Sequence, residues 1–98
     1  MDKFTKKVLD RTVKDLTQNF QIHANKRSVL CSGKYGSKIW LNENGTYSML
    51  LCLGKYGEDR YKFAQSEFRR LAENLLILKQ RDTIGHLFEL LQATSTKS

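Results

Sequence analysis

One short motif occurs twice in the sequence and carries residue types suited to binding a nucleic acid. Leu-Cys-Ser-Gly-Lys-Tyr-Gly at residues 30–36 returns as Leu-Cys-Leu-Gly-Lys-Tyr-Gly at residues 51–57, with six of seven positions identical. The paired glycines permit a tight turn, so one interpretation is that each copy is only a favourable turn sequence with no binding role. The other is two equivalent hairpin turns on one edge of a sheet, each offering a lysine to a phosphate and a tyrosine to an unpaired base. The candidate residues of these turns are Lys34, Tyr35, Lys55 and Tyr56.

Alternation of polar and apolar residues predicts a basic and aromatic sheet face that adds to these turns. Residues 27–32, 37–42, 46–53 and 60–64 are rich in β-branched or aromatic types, which favours strands. Ile39, Leu41, Tyr61 and Phe63 would then face the core. The opposite, open face would carry Lys38, Trp40, Arg60 and Lys62. Trp40 either stacks on a ligand there or packs beneath the N-terminal helix, and the sequence leaves both open.

The elements that must position these residues follow from hydrophobic periodicity. Residues 3–20 and 66–80 have helical spacing, with Asp2 and Ser66 as N-caps, and Asp82 can cap a last helix. We therefore predict an α+β fold: a four-stranded antiparallel β-meander with an N-terminal helix and two C-terminal helices packed on one face. Residues 1–98 would form a single domain. Its parts would be the N-terminal helix (1–26), the meander (27–64), the C-terminal helices (65–93) and a frayed tail (94–98).

The third predicted strand differs from the others because it is apolar on both faces. It contains the longest uninterrupted apolar run of the chain, Met49–Leu53. A strand with this composition is expected either in the centre of a sheet that is covered on both sides, or at a dimer contact.

Composition excludes several classes of protein. The chain has 98 residues and a formal charge of +7, from 17 Lys and Arg against 10 Asp and Glu, which favours a polyanionic partner. No apolar run approaches the ~20 residues of a membrane span, so we expect none. We also expect no cleaved signal peptide, because no apolar segment follows the basic residues near the N-terminus. Two cysteines do not make a disulfide framework, so we expect Cys31 and Cys52 to be buried strand residues of an intracellular protein. His23 and His86 stand apart, so we expect no metal site, no cofactor and no catalytic residue.

The predicted meander and helix resemble the single-strand nucleic-acid-binding superfamily, which includes the positive-cofactor-type coactivators, the Pur-repeat proteins and the Whirly proteins. The resemblance covers residues 28–80. Within it, Arg60-Tyr61-Lys62-Phe63 leading into residues 66–71 is similar to that family's last strand and helix start. The resemblance implies a sheet-mediated grip on single-stranded DNA or RNA and pairing of subunits. The first and last helices depart from the family pattern.

These observations predict a non-enzymatic nucleic-acid-binding protein that prefers single strands and forms a homodimer, in the cytoplasm or the nucleoid or nucleus. One alternative is a small regulatory adaptor that binds a protein partner through surplus apolar helix surface, namely Leu76, Ile77 and the stripe of Leu87, Phe88 and Leu91. Another is a double-stranded DNA-binding regulator that places a hairpin wing in a groove.

Overall fold

The computed structural model describes residues 1–51 and 58–95, and the side chains of all of these except residues 58–61 and 95. In chain order the elements are α1 (Lys3–Asn19), β1 (Phe20–Ala24), β2 (Ser28–Gly33), β3 (Ser37–Asn42), β4 (Tyr47–Leu51), α2 (Glu58–Gln80) and α3 (Ile84–Ser95). The α+β fold class, the four-stranded meander and the placement of one helix before it and two after it are confirmed.

The identity of two strands differs from the prediction. Residues 20–24, assigned from sequence to the N-terminal segment, form β1 and pair with β2 from Phe20 opposite Gly33 to Ala24 opposite Val29. Residues 60–64, predicted as the last strand, lie in α2. The predicted third strand is β4 and lies at the edge of the sheet, so its central placement was wrong.

The sheet has antiparallel order β1-β2-β3-β4 and two different faces. One face carries Val29 and Cys31 of β2 and Ile39 and Leu41 of β3, all fully buried against the helices. The opposite face carries the alternate residues of each strand, as the pleat requires. Ile39 and Leu41 therefore face the core as predicted.

The three helices cover that inner face. Asp2 is the N-cap of α1, since its Oδ1 accepts a hydrogen bond from the Thr5 amide at 2.7 Å. In α2 the most buried positions recur at spacings of three and four residues, which is the stripe of a helix that packs along one side. These positions are Ala64, Glu67, Leu71, Leu75 and Leu78.

The α2–α3 junction shows why the last helix begins later than predicted. Asp82 has a φ of 53°, and the Thr83 amide donates to the Leu78 carbonyl at 2.8 Å, which is a Schellman ending of α2. Thr83 rather than Asp82 then supplies the first carbonyl of α3, which accepts from the His86 and Leu87 amides. Within the described ranges, no helix is long and apolar enough to cross a lipid bilayer.

Candidate nucleic-acid interface

The open face of the sheet consists of the strand residues that point away from the helices. Strand register arranges them in rows across the sheet. One row runs His23, Leu30, Trp40, Ser48, and the next runs Gln21, Ser32, Lys38, Leu50. Both rows mix polar and apolar side chains, so the open face combines hydrogen-bonding groups with surface on which a flat ligand can stack.

Lys38 and Trp40 lie on the open face, as the alternation in β3 predicted. Burial in β3 alternates without exception: Ser37, Ile39 and Leu41 are buried, whereas Lys38, Trp40 and Asn42 are half-buried. Trp40 thus lies on the side of the sheet away from α1, which removes the alternative that it packs beneath that helix. Residues two apart on a strand are about 6.8 Å apart, so the cation and the indole can contact one ligand together.

The electrostatic character of this face comes from the distribution of acids. The four strands contain no aspartate or glutamate. Between residues 20 and 51 the only acid is Glu43, in the β3–β4 turn, against four cations. These cations are Lys26, Arg27, Lys34 and Lys38. A polyanion that crosses the open face therefore meets cations near both ends of the sheet and no carboxylate on the strands themselves.

The first copy of the repeated motif forms the β2–β3 turn, and the two glycines have separate reasons to be there. The Gly36 amide donates to the Gly33 carbonyl at 3.1 Å, and Gly36 has a φ of 97°, a conformation that favours glycine. A Cβ at Gly33 would lie 2.8 Å from Cε2 of Phe20. The prediction of a hairpin turn at residues 33–36 is confirmed.

Tyr35 does not project freely from this turn. Its ring packs edge-on against Phe63 of α2, with the ring centroids 5.1 Å apart and an interplanar angle of 64°. Nζ of Lys34 lies 5.1 Å from the Tyr35 ring centroid. Tyr35 therefore ties the turn to α2, while Phe63, predicted in the core, is 56% exposed beside it. Sequence reasoning missed Phe63 as a candidate ligand contact because it assigned residues 60–64 to a strand.

Two of the remaining predicted site residues are not on the sheet. Arg60 and Lys62 belong to α2, so their assignment to the open face was wrong. Lys62 is exposed and adjoins Phe63 in the chain, which puts it close to the β2–β3 turn. Lys55 and Tyr56 lie outside the described residues. The described chain ends β4 at Leu51 and resumes at Glu58 in α2, where the sequence predicted a fourth strand.

The first residue of the second copy, Leu51, is described and lies beside the first copy. Leu51 pairs with Ser37, the residue that follows the β2–β3 turn. The chain therefore leaves β4 at the same end of the sheet as Lys34 and Tyr35. The predicted proximity of Lys55 and Tyr56 to these residues stays a prediction.

A nearly buried carboxyl group lies behind the β2–β3 turn. Glu67 of α2 is 8% exposed. Burial raises the pKa of Glu67; Arg70 opposes that rise, Asp15 adds to it, and Lys34 also opposes it. Because the native state holds this proton more tightly than the unfolded chain, ionisation costs stability as the pH rises from about 4.5 through the higher native pKa.

We therefore expect Glu67→Gln to raise the free energy of unfolding at pH 7, where the wild-type carboxylate carries its burial cost. The gain should shrink as the pH falls below 4.5, where the carboxyl group is protonated in both states. Urea unfolding at both pH values measures this difference. Glu73→Gln, an exposed change on the same helix, is the control and should alter neither value. A gain that is equal at the two pH values would contradict a raised pKa of Glu67 in the native state.

The described cysteine and the possible metal-ligating side chains do not form a reactive site. Cys31 is a buried free thiol whose pKa is raised by burial to about 12, which leaves it protonated and unreactive at neutral pH. The expected burial of this cysteine is confirmed, and Cys52 lies outside the described residues. Among residues 1–51 and 58–95, no three His, Cys, Asp or Glu side chains are close enough to hold a metal ion together.

Comparison of the chain with models of known protein families, with curated proteins and with solved structures finds no match. The resemblance to the single-strand-binding superfamily therefore stays a prediction. The Arg60–Phe63 segment that served as the family's last strand lies within α2. The support for a function therefore comes from the open face itself.

Proposed function

We propose that this protein binds single-stranded DNA or RNA on the open face of its sheet, without catalysis. The observation that carries the proposal is the pair formed by Lys38 and Trp40 on strands that contain no acid. A cation beside an accessible indole matches the alternation of phosphate and base in an unpaired strand. The net charge of +7 favours such a polyanion over a neutral ligand.

The preference for single strands follows from what Trp40 can reach. The indole lies in a row between Leu30 and Ser48, on the surface of the sheet rather than at a protruding tip. A ring in this position stacks only on a base whose face is free, and the base faces are covered in a duplex. The β2–β3 turn is a poor groove-binding wing, because Tyr35 is packed against Phe63. Both points favour an unpaired ligand over the double-stranded alternative.

The structure also reduces the support for a protein-binding adaptor. Leu87, Phe88 and Leu91, whose stripe suggested surplus apolar surface, are buried in the core. Ile77 is half-buried, and Leu76 of that set remains exposed. Most of this named set is thus used in folding. Since nucleic acids are intracellular, we place the proposed activity in the cytoplasm or the nucleoid or nucleus.

Intrinsic fluorescence tests the proposal directly, because Trp40 is the only tryptophan in the sequence. Unlabelled single-stranded DNA and RNA oligonucleotides and a matched duplex are titrated into the protein near physiological salt. We expect saturable quenching by the single strands and a weaker effect from the duplex, since only an unpaired base can cover the indole. No binding of any oligonucleotide, or tighter binding of the duplex, would refute the proposal.

Salt dependence checks the role of Lys38. For single strands, the slope of log affinity against log salt is about −0.7 per neutralised phosphate. We expect Lys38→Ala to make the slope less negative by about 0.7, because one phosphate contact is lost. Lys3→Ala removes the same charge from α1, in the helical layer, and should leave the slope unchanged. Fluorescence anisotropy of a labelled oligonucleotide over a salt series measures both, and equal slopes for the two variants would exclude a phosphate contact by Lys38.

A further inference from the structure

Strand β4 has the composition of a central strand but lies at an edge of the sheet. Its sequence, Tyr-Ser-Met-Leu-Leu, contains no charge and no proline. Among the described residues, its one strand neighbour is β3. Edge strands of natural sheets are commonly protected by charged residues, proline or a bulge, because an unprotected edge pairs with another strand. Of the two expectations for this strand, a central position or a dimer contact, the first is wrong and the second remains.

The side chains of β4 leave apolar surface uncovered along this edge. Tyr47, Met49 and Leu51 point toward the core but are only half-buried, whereas Ile39 and Leu41 on the neighbouring strand are fully buried. On the open face, Leu50 is 47% exposed. Apolar side chains are thus available on both faces of the strand, so an added strand could bury surface on each face.

Within the described residues, the main chain of β4 also has groups at this edge with no partner in the sheet. The Asn42 amide donates to the Thr46 carbonyl at 2.9 Å, which makes this a hydrogen-bonded pair. Hydrogen-bonded and non-hydrogen-bonded pairs alternate in an antiparallel ladder, so Ser48 and Leu50 bond to β3. The N–H and C=O groups of Tyr47, Met49 and Leu51 therefore point outward. No other residue of the described part of the chain pairs with them in the sheet.

We propose that β4 pairs antiparallel with β4 of a second copy of this chain, about a two-fold axis at Met49. Tyr47 then lies opposite Leu51 of the second copy, Ser48 opposite its Leu50, and Met49 opposite its Met49. The small Ser48 faces the large Leu50 on both sides of the axis, so the edge complements itself in size. The outward-pointing residues meet one another as hydrogen-bonded pairs, and a two-fold axis repeats every contact.

The lysine of the open face does not oppose this pairing. Lys38 is the lysine of the open face, and it lies on β3, one strand away from the edge. In the paired sheet the two copies of β3 are three strand spacings apart, about 14 Å, which exceeds the screening length of about 8 Å at physiological salt. The pairing does not rest on the proposed function, although it would join the two open faces into one surface with two copies of Trp40.

The mass of the full chain in solution, without nucleic acid, tests the pairing. Size-exclusion chromatography with light scattering at micromolar concentrations should give twice the 11.4 kDa of one chain. Leu50→Lys should shift the protein to the monomer mass, because it places a charge in the seam on both sides of the axis. Gln21→Lys adds a lysine at an exposed position of the same row on the opposite edge strand, and should stay dimeric.

Three results would overturn the proposal: a monomer at every concentration, a dimer that Leu50→Lys leaves intact, or dissociation by both variants alike. Circular dichroism shows whether each variant keeps its fold. If Leu50→Lys does not fold, Ser48→Lys on the same strand, also exposed, replaces it with the same expected dissociation. Since oligonucleotides are absent, failure here leaves the proposed function untouched, and failure of the oligonucleotide titration leaves the dimer untouched.

Discussion

Trp40→Ala should weaken binding of single-stranded oligonucleotides by roughly 5- to 150-fold. This range corresponds to the loss of about 1–3 kcal/mol that alanine substitution of a base-stacking aromatic typically costs. The indole is half-buried in the sheet surface, so part of it is held in place while part stays open to a base. A pre-positioned ring loses little conformational entropy on binding, which favours the upper half of the range.

Fluorescence anisotropy with a labelled oligonucleotide measures this loss, since the variant has no tryptophan of its own. Phe4→Ala is the matched control. Like Trp40, Phe4 is an aromatic residue near a cation, with the Arg81 guanidinium carbon 5.1 Å from its ring centroid, but it is exposed and lies on α1 in the helical layer. We expect its affinity to match the wild type. Trp40→Phe should retain part of the affinity, because a smaller ring still stacks. Equal affinity of Trp40→Ala and wild type would show that the nucleic acid binds elsewhere.

The parts of the fold that sequence predicted correctly are those where local pattern and tertiary packing agree. The helical stripe of residues 3–20 matched α1 to within one residue. Strand β3 matched exactly in extent because Ile39 and Leu41 alternate with Lys38 and Trp40, and only one face can be buried against helices. The same alternation predicted which face carries the indole. Local periodicity was sufficient there, since no other element competes for these residues.

The errors occurred where two periods fit the same residues. Phe20 continues the apolar spacing of α1, yet Phe20, Ile22 and Ala24 also alternate with polar residues, and pairing with β2 selects the strand. Residues 60–63 alternate basic and aromatic side chains, but Ala64 also begins the buried stripe that runs through Leu71. Continuation of that stripe through α2 selects the helix. Choosing between the two periods requires knowing which partner is available, and the local sequence does not contain that information.

The candidate site residues were likewise predicted correctly only where a single element determines their position. Lys38 and Trp40 depend on one strand and were placed correctly. Arg60 and Lys62 depended on the wrong choice of element, and the contact of Tyr35 with Phe63 depends on α2 passing the β2–β3 turn, which only the tertiary structure shows. The basic and aromatic part of the open face is therefore smaller than predicted.

The open face exists only while the helices cover the other side of the sheet, and this leads to the second large effect. Leu75→Ala in α2 should lower the free energy of unfolding by about 2–5 kcal/mol. Leu75 is fully buried in the cluster that joins α2 to Ile39 and Leu41, so its removal leaves a cavity in close-packed surroundings. For a domain with a total stability of about 5–15 kcal/mol this is a large share.

Leu76→Ala is the matched control, since it makes the same chemical change one residue later on the same helix. Leu76 is 52% exposed, so we expect a change within about 0.5 kcal/mol. Urea unfolding followed by circular dichroism measures both variants. Similar losses of stability for the two variants would mean that α2 does not pack against the sheet through the side that carries Leu75. In that case Ile39 and Leu41 would lose their cover, and the assignment of Lys38 and Trp40 to an open face would fail with it, because the two sets alternate on one strand.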